Sequence, residues 1–378
     1  MIKVGIDFTS VLYGRGVSRY THNLLKELSI HPQVDLALYG SSLRQNKQLR
    51  HYLKSNSFNN YDHVIQQLPP SALSLFWRFG LNPVSNHLPN LDVFHSWDWL
   101  QPPDKNIPLV STIHDLAILK FPETAHPKIL AMHKRAWHVL KKREAHIIAI
   151  SHATKKDIVQ LLDIPSNRVH VVYEALPTET EIVNQSISEE KAEALKQHYK
   201  LSEKFILFVG TTEPRKNLKR LIKAWIPLAS DYKLLIAGEQ GWDDSQKMLA
   251  QVPKGRLQFL GKVSDQLLNI LYAEAELLAY PSLYEGFGLP ILEAFHHGTP
   301  VVTSNVSSMP EVAGNAAELV DPDSSESIHQ GLVTILNESP LQQRTRLQKM
   351  IIRLHSFGWK RVAEETVAVY NQAIQEQA

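Results

Sequence analysis

Residues 280–314 read YPSLYEGFGLPILEAFHHGTPVVTSNVSSMPEVAG. An apolar run ends at Tyr280, and a loop follows that carries Glu285, Gly286 and Gly288. An apolar-periodic stretch then begins at Leu289-Pro290, and a second apolar run follows at 300–304. Proline suits the first helical turn, whose N–H groups have no intrahelical partner. The order is therefore strand, glycine loop, helix, strand, which is the unit of a parallel α/β sheet. A helix that starts beside a glycine loop presents free N–H groups and a positive dipole end, both suited to an anion. Glu285 lies in the loop and Glu293 about one turn into the helix. Carboxylates repel phosphate but accept hydrogen bonds from the hydroxyls of a sugar or ribose.

Upstream, 209–220 reads VGTTEPRKNLKR, a strand end followed by Arg215, Lys216 and then Asn217, a residue suited to capping a helix. Two cations at the carboxyl end of a strand can balance a diphosphate. Further out, short β-branched runs at 2–6, 34–39, 92–96, 108–113, 146–151 and 168–173 alternate with helical periodicity at 17–28 and 153–162. After a polar stretch at 177–201 the alternation restarts, with runs at 205–210, 232–238, 257–261, 276–280, 300–304 and 316–320. Helices are expected between these runs at 217–229, at 265–274 and from 289, with a last one at 359–376. The expected architecture is α/β: a doubly wound domain over 1–176, a linker over 177–201 and a second doubly wound domain over 202–358. A cleft between two such domains is the usual place for a ligand.

The 378 residues carry no cysteine, which excludes disulfides, thiolate catalysis and cysteine-bound zinc. Net charge is +2, too small for a dedicated nucleic-acid binder. No run approaches 18 apolar residues, and the N-terminal MIKVGIDFTS reads as a strand rather than a leader, so a cytoplasmic protein is expected. Charge is uneven: 20 Lys and Arg face 13 Asp and Glu in 1–175, against 20 and 25 in 176–378. The basic half suits an anionic partner or the inner face of a membrane, with His133-Lys134-Arg135 and Lys141-Lys142-Arg143 as its densest patch. An ordinary solvated helix face explains that patch equally well. Phe76 and Trp77 read as core. His296-His297 before Gly298 reads as a helix end whose positive charge suits the dipole. Asp321-Pro322-Asp323 reads as a turn, and the 18 histidines show no paired metal-ligand spacing, so no metal site is expected.

Gly-Thr-x-Glu-Pro-Arg-Lys-Asn at 210–217, together with Glu285-x7-Glu293, resembles the family-4 retaining glycosyltransferases of the GT-B fold. Thr112-Ile113-His114-Asp115, Phe121-Pro122-Glu123, Arg168 through Tyr173, Thr299 through Val302 and Pro310-Glu311 extend the likeness over nearly the whole chain. The resemblance implies two Rossmann-like domains facing a cleft, with the last helix crossing back onto the N-terminal domain. It implies that Arg215 and Lys216 hold the donor diphosphate, that Glu293 binds ribose and that Glu285 binds the donor sugar. By the same likeness Gly210, Phe287, Gly288, Leu289 and Ile291 meet donor atoms, and Val263 lies beside the base. His114 approaches the sugar from the N-terminal domain, and Gly14 and Gly16 form a loop near the transfer site. That loop departs from the usual Gly-Gly-x-Gly-Arg-Tyr, reading Arg15-Gly16-Val17-Ser18-Arg19-Tyr20.

The activity so implied is metal-independent, retaining transfer of a hexose from a nucleotide diphosphate sugar, UDP-glucose first and GDP-mannose second. The acceptor would be a carbohydrate or a lipid-linked oligosaccharide in exopolysaccharide biosynthesis, with no bound cofactor. A nucleotide-sugar 2-epimerase and a non-catalytic nucleotide-binding scaffold are the alternatives. An NAD-dependent oxidoreductase would need glycine where Arg19 stands.

Overall fold

Every apolar run read above becomes a parallel strand. The computed structural model describes residues 1–14, 16–176, 188–199, 201–241, 248 and 252–377, so Arg15 and residues 177–187 of the expected linker lie outside the described residues. The chain divides into two units, Met1–Ala175 with Gly358–Ala378, and Leu176–Phe357.

In the first unit the strands are β1 (Ile2–Asp7), β2 (Val34–Ser41), β3 (Asp62–Gln66), β4 (Val93–Trp97), β5 (Leu109–Ile113), β6 (His146–Ala149) and β7 (Val169–Val171). They form one parallel sheet in the order β3-β2-β1-β4-β5-β6-β7. Strands β4 and β5 are buried along their whole length, as strands covered by helices on both faces must be. At the sheet edge β3, DHVIQ, is half exposed and carries no continuous apolar run, and for that reason its sequence does not read as a strand. Helices Asn46–Ser55, Pro70–Arg78 and Pro127–Lys142 also belong to this unit. Trp77 is buried and its indole N–H donates to the carbonyl of Asn82, 2.9 Å away. Its neighbour Phe76 is exposed rather than core.

The second unit repeats the plan with β8 (Phe205–Val209), β9 (Lys233–Ala237), β10 (Leu257–Gly261), β11 (Leu277–Tyr280), β12 (Val301–Ser304) and β13 (Glu318–Val320). Its order, β10-β9-β8-β11-β12-β13, is again that of a doubly wound sheet reversing beside its first strand. Part of the stretch expected as a linker is a helix, Glu189–His198, capped by the Ser188 side chain. None of its residues is buried, and so no apolar period announces it. Helix Asp265–Glu274 matches its expected bounds because Ser264 caps it and its last residue meets the next strand.

The last helix, Trp359–Gln377, packs in the first unit, as the resemblance implies. Trp359 meets the Tyr20 ring edge-on at 5.5 Å between centroids. Deeper in the interface, the buried His95 ring stands between the hydroxyl of Tyr370 at 2.6 Å and that of Thr112 at 2.9 Å. Burial holds the His95 imidazole far down, at about 3, so it is neutral there at physiological pH. Removing the Tyr370 hydroxyl strands one side of a buried imidazole. Tyr370→Phe is therefore expected to cost about 1–2 kcal/mol and to raise amide exchange across 359–377, measured by denaturant unfolding and hydrogen exchange.

Candidate active site

Strand order in the second unit reverses between β8 and β11, and the loops leaving these two strands hold the expected donor-site residues. After β8 a single helical turn, Pro214–Lys216, brings both cations toward β11. The Lys216 ammonium donates to Glu285 Oε1 at 2.6 Å and to the Tyr280 hydroxyl at 3.0 Å. The Arg215 guanidinium donates to Glu285 Oε2 at 2.8 Å, to the Tyr284 carbonyl at 3.1 Å and to Glu213 at 2.9 Å. One carboxylate thus bridges two cations, and Lys216 and Glu285 are both buried. Burial alone would raise the Glu285 carboxyl, but Lys216 and Arg215 outweigh it and hold it at about 2. Burial also lowers the Lys216 ammonium, with Glu285 opposing.

The backbone around this cluster is specified residue by residue. The Leu283 N–H donates to the Arg215 carbonyl at 2.7 Å, joining the two loops. Asn217 does not cap the next helix with its side chain, as its type suggests. It adopts a left-handed conformation, and its amide donates to the carbonyls of Pro281 (2.9 Å) and Pro322 (2.7 Å). Pro322 belongs to the Asp321-Pro322-Asp323 turn, closed by the Asp323 N–H on Asp321 at 2.9 Å. Gly238, at the end of β9, could bear no side chain, because a Cβ would stand 2.0 Å from the Gly210 carbonyl oxygen. Gly210 in turn lies under the Lys216 stem, with a Cβ there 3.5 Å from Cε.

Gly288 starts helix Leu289–His296 at φ 116°, a conformation open to glycine and costly for other residues. The N–H groups of Gly288 and Leu289 make no hydrogen bond among the described residues, so two donors remain for an anion. Two of the other main-chain groups expected to meet the donor are already used. The Ile291 N–H donates to the Gly288 carbonyl at 3.0 Å, and the Phe287 carbonyl accepts from Ser308 at 2.6 Å. Glu293 is buried and accepts from the Tyr272 hydroxyl at 2.8 Å. The His297 ring stacks on Tyr272 at 5.6 Å. Burial and the adjacent His296 lower His297 to about 4, so it brings no positive charge to this helix end near neutral pH, contrary to the sequence reading. Val263 sits in the short loop between β10 and helix Asp265–Glu274.

In the first unit His114 follows β5 directly. Its ring meets Tyr20 edge-on at 4.8 Å and stacks near Trp97 at 6.2 Å. Its Nε2 is buried without a hydrogen-bond partner among the described residues, and burial lowers the imidazole to about 4. Gly14, at φ 64°, precedes helix Gly16–Ser29; a Cβ at either glycine would meet nothing within 4 Å. Packing among the described residues therefore does not require glycine at 16. The sequence reading missed Tyr280, Tyr272, Ser308, Gly238 and Trp97, which are core-type or turn-type residues with no motif of their own. Among the described residues, no group of three or more His, Asp or Glu side chains could hold a metal ion.

Two doubly wound units, one with a bridged cation pair at its switch point, define the GT-B class of glycosyltransferase. Residues 14–180 match the family Glycosyltransferase Family 4, and residues 190–350 match Glycosyl transferases group 1. The chain is 29% identical over 373 residues to O-antigen chain mannosyltransferase B of Escherichia coli, covering 94% of this chain and 95% of that one. It is 32% identical over 219 residues to O-antigen chain mannosyltransferase RfbU of Salmonella typhimurium, covering 57% of each. A glycosyltransferase structure from Rickettsia africae superposes with a TM-score of 0.74 at 15% identity, covering 99% of both chains. The chain belongs to the family-4 glycosyltransferases.

The bridge makes a pH prediction. Glu285 is held below its ordinary 4.5 at about 2, so its stabilisation is full above 4.5 and is lost as pH falls through 2. Glu285→Gln should lower stability at pH 7 by on the order of 3 kcal/mol, and the gap should close between pH 4.5 and 2. Denaturant titrations of both proteins across that range measure it.

Proposed function

We propose that this chain transfers a mannosyl group from GDP-mannose to a hydroxyl of a growing polysaccharide, with retention at the anomeric carbon and without a metal. The Arg215–Glu285–Lys216 bridge carries the reading. It places two cations beside a carboxylate at the carboxyl ends of β8 and β11, where diphosphate and sugar hydroxyls of one ligand could be held together. Relatives named as O-antigen chain mannosyltransferases favour mannose over glucose, and hence the second of the two expected donors over the first.

In this mechanism the diphosphate takes hydrogen bonds from Arg215, Lys216 and the open N–H groups of Gly288 and Leu289. Glu285 shifts from neutralising cations to accepting from sugar hydroxyls as phosphate charge replaces it. The glycosidic C–O bond to the diphosphate breaks, and its electron pair leaves with GDP. The acceptor oxygen forms the new bond on the same face, and its proton passes to the departing phosphate. Cations fixed before the reaction stabilise charge that develops on the leaving group without reorganisation. Glu293, held by Tyr272, receives the ribose hydroxyls. His114, neutral above about pH 4, offers Nε2 to a sugar hydroxyl rather than a positive charge.

Arg215→Ala and Lys216→Ala are each expected to lower kcat by ~10²–10³-fold. Calorimetry in EDTA tests the donor: GDP should bind and UDP should not, and only GDP-mannose should turn over with an oligosaccharide acceptor. Binding of UDP alone would return the reading to glucose. Loss of turnover in EDTA, restored by a divalent cation, would end the metal-free mechanism.

A further inference from the structure

A cavity of about 730 Å³ opens in the first unit, a volume within the range of small-molecule sites. Pro108, His146 and Arg168 line it at the N-terminal ends of β5, β6 and β7, whereas His114 follows the C-terminal end of β5. The cavity is thus separate from the edge of the sheet that bears the candidate transfer residue.

Its walls are basic. Arg78, Lys105, Arg135, Lys142, Arg143 and Arg168 line it, against the carboxylates of Glu144 and Glu376. Two of these cations are already engaged. Arg143 donates to the carbonyls of Pro102 and Ile107, and Arg168 lies 2.9 Å from Glu376. His133, counted in the basic patch from sequence, turns to Asp98 at 3.3 Å, and Lys141 pairs with Asp163. Arg78, Lys105, Arg135 and Lys142 remain exposed and form no ion pair among the described residues.

Exposed apolar side chains flank several lining residues along the chain. Helix Pro70–Arg78 and the turn after it leave Phe76 exposed, with Phe79 at 68% and Leu81 at 56%. On helix Pro127–Lys142, Ile129 (46% exposed), Met132 and Arg135 follow at three-residue spacing and so share a face. Large exposed apolar residues beside uncompensated cations are the surface of an element that lies in a bilayer interface. A soluble anion would give Phe79 and Leu81 nothing to bury against. A two-fold contact with a second copy would set the same cations against one another.

We propose that this cavity receives the phosphate headgroup of an anionic membrane lipid. Arg78, Arg135 and Lys142 meet the phosphate, while Phe79, Leu81 and Ile129 enter the acyl boundary. The inference is independent of the transfer reading, because vesicle binding requires neither donor nor acceptor.

The test is co-sedimentation of the full chain with phosphatidylcholine vesicles, with and without 30 mol% phosphatidylglycerol, at roughly 0.1 M salt. Binding is expected only with phosphatidylglycerol, and it should weaken as salt rises. Neutralising a surface cation should weaken it about five-fold, so R78S/R135S should lower affinity by about 20-fold. F79S should also weaken binding, and thermal melting of each variant reports that the fold persists. Equal binding to neutral vesicles, no binding to either, or unchanged binding by R78S/R135S overturns the proposal. So does a dimer in sedimentation that the same variants dissociate, which would assign the patch to self-association.

Discussion

Burying the Lys216 ammonium is unfavourable unless a carboxylate comes with it, and Glu285 is that carboxylate. The two residues leave different strands, β8 and β11, so satisfying the charge forces their loops together at the point where the strand order reverses. The neighbouring contacts serve the same closure. Asn217 spends its amide on two other loops, and Ser307 and Ser308 both donate to the Glu285 carbonyl. Because the bridge is ionic and only partly shielded at Arg215, an incoming diphosphate can compete for the same cations. A purely apolar closure would hold the loops equally well but could not exchange partners with a ligand.

The two units share a plan but not its chemistry. Each reverses its strand order beside its own first strand. In the second unit the loops at that point hold the charged, bridged cluster. In the first unit the candidate residue lies one strand further on, after β5, where the His114 ring packs on Tyr20 and Trp97 and is neutral through burial. A neutral imidazole among aromatic rings suits hydrogen bonding to a sugar rather than charge balance. The basic character of the first unit instead gathers at the other end of its sheet, beside exposed apolar side chains.

Legibility followed the physics of each element. Buried parallel strands were readable because both faces are covered, which leaves uninterrupted apolar runs such as FILFV in β8 and LLIA in β9. The edge strand β3 and the exposed helix Glu189–His198 were not, since neither buries a continuous face. Arg215, Lys216, Glu285 and Glu293 stood out because charged residues beside glycines and a helix-starting proline have few structural uses. Their partners Tyr280 and Tyr272 did not, because a tyrosine within an apolar run reads as core until the partner of its hydroxyl is known.

Sequence alone determined the fold class, the strands, the family resemblance and the charged site residues, all of which are local patterns or short motifs. Tertiary structure decided what those residues do to one another. Lys216 and Glu285 are separated along the chain by β9, β10 and β11, yet they meet at 2.6 Å. Asn217, a cap by type, became a clasp, and His297, a cation by type, became neutral. The physical reason is common to all three. Burial and hydrogen-bond partners set a side chain's charge and role, and both depend on which distant loops the sheet brings together.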